Sequence, residues 1–349
     1  MKRFKGIVLV AAAILMGAVY LLPAAPASAQ SSAALSIVPK KNYVIEPGKS
    51  VDDTIVIRNL DSSSSLELTL RVVDFTFTDD GGTPKLFLDP NTPQTTWSLK
   101  SYLTVPKTVS IPAGSSQTLK MNVTIPAKQG AGSYYSAIVY SAGNSSGGGN
   151  VGLSASGVTL VFTTIPGKVT EDLTLKKLGA YDKTENKYMF VTDKEPQNIA
   201  YTLENKGNVT ESPAGSIILR DMFGHEINID NVNPAGSLAL IGQTRTYTAC
   251  IKLASQDIDF KGDKTKANTC TSAGLWPGYY SAKIDLFYGQ NGNNTQEITG
   301  SASFWYLPLW FVIAVAIVLL GLAFVIWRIV TKIRAKFYGP KTKKISRRR

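Results

Sequence analysis

The sequence has little of what metal sites, redox centres and thiol or histidine catalysis require. Its 349 residues include two cysteines and one histidine. Two cysteines are too few for a zinc framework or for a scaffold of several disulfides. A single histidine also leaves no plausible setting for a cysteine–histidine dyad. The composition therefore predicts no metal site and no cofactor.

Acidic residues are absent from the C-terminal tail, so the positive charge of the chain is unevenly distributed. This distribution argues against a nucleic-acid-binding domain. Lys and Arg outnumber Asp and Glu by 37 to 25, which gives a net charge of +12. Residues 1–5 contribute three positive charges and residues 328–349 ten more, so that residues 6–327 carry a net charge of −1. A nucleic-acid-binding domain needs a dense basic face. We therefore expect no nucleic-acid partner.

The N-terminus has the three parts of a secretory signal peptide. Three basic residues among the first five precede an apolar stretch, Ile7 to Leu22, and Ala27-Ser28-Ala29 fits a cleavage site. The sequence predicts a signal peptide over residues 1–29, with cleavage between Ala29 and Gln30. An uncleaved anchor is the alternative.

A second apolar stretch lies near the C-terminus. No charged residue occurs between Glu297 and Arg328, and about 20 apolar residues suffice to cross the hydrocarbon layer as a helix. Aromatic residues at both edges and a purely basic tail are typical of a span whose C-terminus stays in the cytoplasm. We predict a transmembrane helix over residues 304–327, which contacts the lipid bilayer, and a cytoplasmic tail over residues 328–349. The protein is then a single-pass plasma-membrane protein with its N-terminal ectodomain outside.

Between these segments, apolar residues alternate with polar or small ones in many short runs. Examples are Thr54 to Arg58, Leu66 to Val72 and Leu119 to Ile125. Turn sequences separate the runs, and no long stretch has helical periodicity. The pattern predicts an all-β fold of two tandem Ig-like β-sandwich domains, over residues 30–166 and 167–303. We interpret the Gly/Ser-rich stretch Asn144 to Asn150 as a hairpin tip rather than as the interdomain linker.

The two halves repeat one order of features. Gly114 precedes an alternating strand and then Gly132-Ser133-Tyr134-Tyr135-Ser136-Ala137, while Gly242 precedes an alternating strand and then Gly278-Tyr279-Tyr280-Ser281-Ala282. The shared order indicates two related domains. In Ig-like sandwiches, a Tyr early in the penultimate strand can hydrogen-bond back across the corner. We predict this role for one Tyr of each pair, and stacking on a ligand is the alternative.

The second copy contains an insertion bounded by the only two cysteines, Cys250 and Cys270. Thiols outside the membrane can oxidise, so we predict a disulfide that closes the base of this loop. The loop is polar and has no catalytic grouping. We interpret it as a contact surface for a partner, with Asp257, Lys261 and Lys264 as candidate contacts.

Two tryptophans are further candidate contacts. Trp97 lies in a Thr/Pro-rich stretch, and Trp276 lies just before Pro277-Gly278 at the end of the Cys-bounded loop. Either side chain can stack on a sugar ring or cap its own core. The core role is favoured, because Trp usually buries most of its large surface.

No catalytic grouping stands out in the sequence. His225 lies in Met222-Phe223-Gly224-His225-Glu226, which we predict to be a hairpin turn, and no nucleophile lies beside it. Paired carboxylates that cleave glycans can meet in the fold without leaving a motif. We therefore expect no enzyme activity and no catalytic residues, and a cryptic glycan hydrolase is the least favoured alternative.

The ordered motifs resemble those of bacterial surface proteins of the WxL-interacting type. They are Ile37-Val38-Pro39, Glu46-Pro47-Gly48, Arg58-Asn59, Asn205-Lys206-Gly207-Asn208-Val209, Pro213-Ala214-Gly215-Ser216, Asp221-Met222-Phe223-Gly224 and Phe287-Tyr288-Gly289. The resemblance implies a signal peptide, two Ig-like domains, one C-terminal span and a basic tail. It also implies that the first domain associates with peptidoglycan and the second with surface proteins. The Cys-bounded insertion departs from the family pattern, which puts the second domain's partner in doubt.

Three functions follow from these observations. The first is a membrane-anchored binding or scaffold protein of the bacterial envelope that contacts cell-wall polymer or surface proteins. The second is an assembly factor that holds exported subunits by adding their strands to an open sheet edge. The third is the glycan hydrolase. The fold alone does not choose between them.

Overall fold

The computed structural model describes residues 35–77, 83–142, 155–260, 263–289 and 295–339. Four features predicted from the sequence lie outside these residues: the signal peptide, its cleavage site at Ala29 and Gln30, the hairpin tip Asn144 to Asn150, and the candidate contact Lys261. The described chain is mostly β-strand with one C-terminal apolar helix, and its strands form Ig-like β-sandwiches. The predicted fold class is confirmed.

The first sandwich packs a four-stranded sheet, in the order β1-β3-β9-β7, against a five-stranded sheet, in the order β2-β11-β10-β4-β8. A two-stranded hairpin, β5–β6, stands apart from both. The strands are β1 (Leu35–Ile37), β2 (Lys40–Val44), β3 (Ser50–Asn59), β4 (Leu66–Val73), β5 (Phe75–Phe77), β6 (Pro84–Leu86), β7 (Leu103–Thr104), β8 (Thr108–Ile111), β9 (Ser116–Thr124), β10 (Gly132–Ala142) and β11 (Ala155–Ile165).

The second sandwich has the same plan, with sheets in the orders β13-β12-β15-β18 and β14-β22-β21-β16-β17. A hairpin, β19–β20, projects from it. The strands are β12 (Leu173–Asp182), β13 (Lys187–Met189), β14 (Val191–Thr192), β15 (Asn198–Asn205), β16 (Ala214–Asp221), β17 (Glu226–Ile229), β18 (Thr244–Cys250), β19 (Leu253–Phe260), β20 (Asp263–Cys270), β21 (Gly278–Tyr288) and β22 (Gln296–Tyr306).

Alternation in the sequence decides which face of each strand is buried. In β3, Ile55 and Ile57 point into the first core while Thr54 and Val56 point outward. Strand β21 follows the same rule, with Ile284 and Leu286 in the second core. Each core is therefore the dry layer between its two sheets.

Two buried asparagines show that the sandwiches share a local design. Asn59 ends β3 and Asn205 ends β15, and each accepts a hydrogen bond from the backbone N–H two residues later, at 3.0 Å from Asp61 and 2.9 Å from Gly207. Each side-chain amide also donates to backbone carbonyls of two separate segments, which for Asn205 are those of Val209 and Ala239. One side chain thus joins two loops at the same place in both sandwiches.

Replacing either asparagine by alanine should lower the free energy of unfolding by about 2 kcal/mol, because buried backbone groups lose their partners. The measurement is urea unfolding of the full-length chain in detergent micelles, followed by circular dichroism. Asn228 is exposed on β17 and serves as the control, since Asn228→Ala should change the value by no more than about 0.5 kcal/mol. Equal losses for Asn205→Ala and Asn228→Ala would contradict the prediction.

The predicted tyrosine corner is present in both sandwiches. The hydroxyl of Tyr134 donates to the carbonyl of Gly130 at 3.1 Å, and that of Tyr280 donates to the carbonyl of Trp276 at 2.8 Å. Each Tyr lies two residues after a glycine with positive φ, Gly132 or Gly278. The corner tyrosine is therefore the first Tyr of Tyr-Tyr-Ser-Ala in the first sandwich and the second Tyr in the second sandwich. The strand begins at the glycine in both, so the position relative to the glycine decides which Tyr forms the corner.

The Cys250–Cys270 insertion differs from the loop that the sequence suggested. The two cysteines form a disulfide, with Cα atoms 5.1 Å apart. The residues between them form the antiparallel hairpin β19–β20, in which Asp257 pairs with Lys266 and Lys264 with Asp259. Most residues of the two strands are polar or charged, and such a composition is typical of a loop when a sequence is considered alone.

The C-terminal helix α1 (Leu309–Tyr338) is long and apolar enough to cross a membrane, and its described side chains are exposed except for that of Phe311, which is half-buried. The predicted start of this segment at residue 304 was wrong. Phe304 belongs to β22, is fully buried and stacks on Tyr280 with ring centres 5.3 Å apart. Hydropathy alone cannot separate a buried strand from the membrane span that follows it.

Candidate functional site

A buried apolar cluster joins the two sandwiches. The first sandwich contributes residues of β4, β10 and β11, which belong to its five-stranded sheet, and the first residue of β5. The second sandwich contributes the segment before β18. The fully buried members of the cluster are Val73, Phe75, Tyr135, Ala137, Val139, Phe162, Leu240 and Ile241. Rings of Phe75, Tyr135 and Phe162 meet within 5.3 to 5.8 Å of each other. We call this cluster the junction.

Backbone contacts close the junction on one side. The N–H of Ser133 donates to the carbonyl of Asn208 at 3.0 Å, and the Asn208 side-chain amide donates to the carbonyl of Ala131 at 3.1 Å. A Cβ atom at Gly132 would lie 2.6 Å from the Asn208 carbonyl oxygen, and φ there is +146°. Only glycine permits this approach without a backbone shift.

Arg245 lies on the other side of the junction, beneath the β5–β6 hairpin. Its guanidinium carbon is 4.8 Å from the centre of the Phe77 ring and 5.1 Å from that of Tyr247, both cation–π distances. The side chain is buried and donates to the carbonyl of Leu238 at 2.5 Å, while no ion pair of the described residues includes it. Burial lowers the pKa of this guanidinium from its usual value. The hairpin is thus attached to the second sandwich by a buried positive charge.

A cleft of about 970 Å³ opens between this hairpin and the outer face of the β13-β12-β15-β18 sheet. Tyr188, Thr202 and Thr246 form a row of hydroxyls across the sheet, joined by hydrogen bonds of 2.7 and 2.8 Å. Burial raises the pKa of Tyr188 to about 12, so its hydroxyl stays protonated at neutral pH. Three lysines also line the cleft: Lys85, Lys176 and Lys177.

The charge in the cleft is positive. Lys176 pairs with Glu204 at 3.1 Å, and the amino group of Lys177 lies 5.8 Å from the centre of the Tyr188 ring. Hydroxyls and ammonium groups together suit a polar or acidic chain better than an apolar one. The cleft therefore suits an extended polypeptide whose own side chains are polar or acidic.

Strand β18 borders the cleft and is the longest outer strand of the four sandwich sheets. It pairs with β15 in a register that joins Tyr247 to Tyr201 and Thr246 to Thr202. The N–H of Asn205 donates to the carbonyl of Gln243, and the N–H of Ile251 donates to the carbonyl of Gln197. These two hydrogen bonds show which β18 residues direct their backbone groups towards β15. In an antiparallel pair these alternate, so the N–H and C=O groups of Thr244, Thr246 and Thr248 point away from β15. Among the described strands none pairs with this side of β18.

The structure separates the residues that the sequence singled out. Trp97 packs in the junction, with its ring 6.3 Å from that of Tyr135, and so has the core role. Trp276 is 72% exposed on the second sandwich. Asp257 and Lys264 lie on the β19–β20 hairpin. Neither Trp97 nor Trp276 lines the cleft.

Sequence reasoning missed the junction and the cleft. One signal of the junction was present in β10, where Ala137, Ile138, Val139 and Tyr140 are successive and all buried. A continuous apolar run indicates a strand that is covered on both faces. The cleft leaves no such signal, because its Thr, Lys and Tyr residues are ordinary on the outer face of a sheet.

His225 lies where the sequence placed it, in the turn between β16 and β17. Its Nδ1 is 2.8 Å from Oδ2 of Asp221, and the side chain is exposed. In the part of the chain that the structure describes, no three His, Cys, Asp or Glu side chains are grouped as a metal site requires.

Comparisons with known proteins give structural neighbours only. No protein-family model matches the chain, and no curated protein matches it in sequence. Similar solved structures include a chain of a chaperone–tip adhesin complex of CFA/I fimbriae biogenesis, 11% identical, covering 79% of this chain and 100% of that one, with a TM-score of 0.36. The E. coli chaperone DraB is 12% identical over 79% of this chain and 97% of its own, with a TM-score of 0.33. The Pseudomonas aeruginosa chaperone CupB2 is 9% identical over 73% and 96%, with a TM-score of 0.29. Similarity at this level concerns the fold and not what this chain binds.

Proposed function

We propose that this chain is a membrane-anchored protein that binds another exported polypeptide by adding one of its strands to the free edge of β18. The function is one of binding rather than catalysis. The observation that carries the proposal is that no described strand pairs with the outer edge of β18, which lies beside a polar, basic cleft. An exposed edge offers a row of main-chain donors and acceptors, which gives affinity, and the cleft offers side-chain contacts, which give selectivity.

The orientation is part of the proposal. Basic residues without acids follow helix α1, which supports a cytoplasmic C-terminal end with both sandwiches outside. The Cys250–Cys270 disulfide suits that location, because exported proteins meet oxidising conditions. The partner is then another protein on the outer side of the membrane.

Replacing Thr246 by proline tests the edge. The N–H of Thr246 points away from β15, so proline removes a donor of the free edge and leaves the β15–β18 bonds intact. Thr246→Val is the matched control, since it keeps the N–H and the β-branched shape. We expect Thr246→Pro to lower partner binding by about tenfold or more, as the loss of one or two main-chain hydrogen bonds would produce.

The assay uses a photo-crosslinking amino acid at Thr248 of the full-length chain in its own cells. Crosslinks to an exported protein should form in the otherwise unchanged chain and in Thr246→Val, and should fall sharply in Thr246→Pro. A crosslinker at exposed Asn228 reports contacts unrelated to the edge. Equal crosslinking by the proline and valine variants would reject strand addition at β18, provided that both melt at the same temperature.

Two expectations from the sequence stay predictions. One is membership of the WxL-interacting type of surface protein, which rests on short motifs. The other is binding to cell-wall polymer, for which the test is co-sedimentation of residues 30–303 with insoluble cell wall.

A further inference from the structure

Exposed aromatic side chains gather at one end of the second sandwich. Outside α1, the exposed aromatic side chains of the described residues are Phe190, Phe223, Trp276, Tyr279 and Phe287. Four of these five lie around the start of β21 and the end of β22. Only Phe287 lies at the opposite end of β21. An even scatter would need no explanation, whereas a cluster of this kind marks an interaction surface.

The clustered residues form a continuous patch. Tyr279 pairs with Trp305 across the β21–β22 ladder, with ring centres 5.3 Å apart, and the N–H of Trp305 donates to the carbonyl of Phe190 at 2.8 Å. On the other side, a Cβ atom at Gly278 would lie 2.6 Å from the sulfur of Met222, so Met222 packs directly on the backbone beside Tyr279. We define the membrane-proximal patch as Phe190, Val191, Met222, Phe223, Trp276 and Tyr279, which are all exposed.

The position of α1 fixes what this patch faces. Strand β22 ends at Tyr306 and α1 begins at Leu309, so only Leu307 and Pro308 separate them. Two linking residues and the step to Leu309 span about 10 Å when fully extended. The N–H of Leu307 also donates to the carbonyl of Thr192 at 2.8 Å, which ties the linker to the sandwich. The patch surrounds the point where the chain enters the span.

We infer that the membrane-proximal patch docks into the headgroup region of the lipid bilayer and holds the second sandwich against the membrane. Trp and Tyr prefer this region because each has an apolar ring and a polar group that stays hydrated. Asp221 and His225 flank Met222, Phe223 and Gly224, and they pair with each other at 2.8 Å. The turn therefore presents its apolar side chains without an unpartnered carboxylate.

The test measures whether Trp276 touches lipid. The full-length chain is placed in vesicles of phosphatidylcholine and phosphatidylglycerol, with or without phosphatidylcholine brominated on the acyl-chain carbons nearest the headgroup. Bromine quenches tryptophan emission only on contact, so the difference between wild type and Trp276→Phe gives the quenching of Trp276 alone. We expect this difference signal to lose most of its intensity in the brominated vesicles. Trp276→Phe is conservative, because the side chain is 72% exposed.

Two further variants distinguish docking of the patch to lipid from the membrane span of α1, on which the inference rests. Trp310 lies in the first turn of α1, so the difference signal for Trp310→Phe reports the span itself. The corresponding signal for Trp97→Phe, in the junction, should not be quenched. Quenching of Trp310 without quenching of Trp276 would overturn docking and leave the anchor intact. Loss of both would reject the span.

A matched pair of exposed phenylalanines provides a second measurement. Phe190→Ser with Phe223→Ser should weaken the quenching of Trp276, whereas Phe287→Ser, at the far end of β21, should leave it unchanged. If Trp276 were shielded both from brominated lipid and from acrylamide in the water, a protein would cover the patch. That result would also overturn docking to lipid.

Discussion

Replacing Phe75 by alanine should lower the free energy of unfolding by about 4 kcal/mol, at the level seen when a buried aromatic ring is removed. Phe75 is 1% exposed at the centre of the junction. Its ring centre lies 5.5 Å from that of Phe77, 5.3 Å from that of Tyr135 and 5.8 Å from that of Phe162. Truncation leaves a cavity among rings that belong to three strands, and these cannot collapse together. The hairpin should then lose its contact with Arg245.

Urea unfolding of the full-length chain in detergent micelles checks this prediction. Phe223→Ala is the matched control, because the same substitution at a 71% exposed position should change the free energy by no more than about 0.5 kcal/mol. Phe75→Ala should also weaken crosslinking from Thr248, since the cleft depends on the position of the hairpin. A loss of stability equal to that of Phe223→Ala would show that the junction is not packed as described.

Replacing both Cys250 and Cys270 by serine should lower the free energy of unfolding by about 3 kcal/mol, the chain-entropy value for a loop of this length. The disulfide closes a 20-residue separation at the end of β18. Without it, the unfolded chain gains freedom, and the β19–β20 hairpin is attached to the sandwich only through its backbone. Because β18 ends at Cys250, we also expect faster hydrogen exchange along this strand.

A reductant provides the control for the disulfide. Wild type treated with dithiothreitol should match the double serine variant, and the variant itself should not respond to the reductant. Both comparisons use thermal unfolding followed by circular dichroism. A variant as stable as the oxidised wild type would show that the bond contributes no stability to the sandwich.

The correct predictions have a common cause. Alternation in β3, β9 and β21 reports burial of one strand face, and burial of one face is what makes a sandwich. The corner tyrosines were narrowed to two pairs because both halves share one order of features, with each pair early in an alternating strand. The disulfide followed from the count, since only one pairing exists for two cysteines. The strands and the corner tyrosines depend on residues that are close in sequence. The disulfide depends on a pairing of cysteines for which there is one possibility.

The errors also have physical reasons. Phe304, Trp305 and Tyr306 were assigned to the membrane span because hydropathy does not distinguish burial in a protein core from burial in lipid. The insertion between Cys250 and Cys270 was read as a loop because most of its residues are polar, and the brief alternation from Asp257 to Phe260 was too short to indicate a hairpin. The favoured core role was correct for Trp97 and wrong for Trp276, which is exposed, because the residues that cover a tryptophan, such as Gly242 beside Trp97, are distant in sequence.

The sequence by itself determined most of the sandwich strands and their inward faces, the cysteine pair and an apolar C-terminal helix, because these depend on local periodicity, composition and length. Only the tertiary structure decided that β10 is covered on both faces, that Arg245 lies beneath the β5–β6 hairpin, and that the outer edge of β18 borders a cleft. Alternation tells which side chains leave water but not which surface receives them. The junction, the cleft and the membrane-proximal patch all arise from contacts between segments far apart in the chain, and for that reason the fold was predictable before the site was.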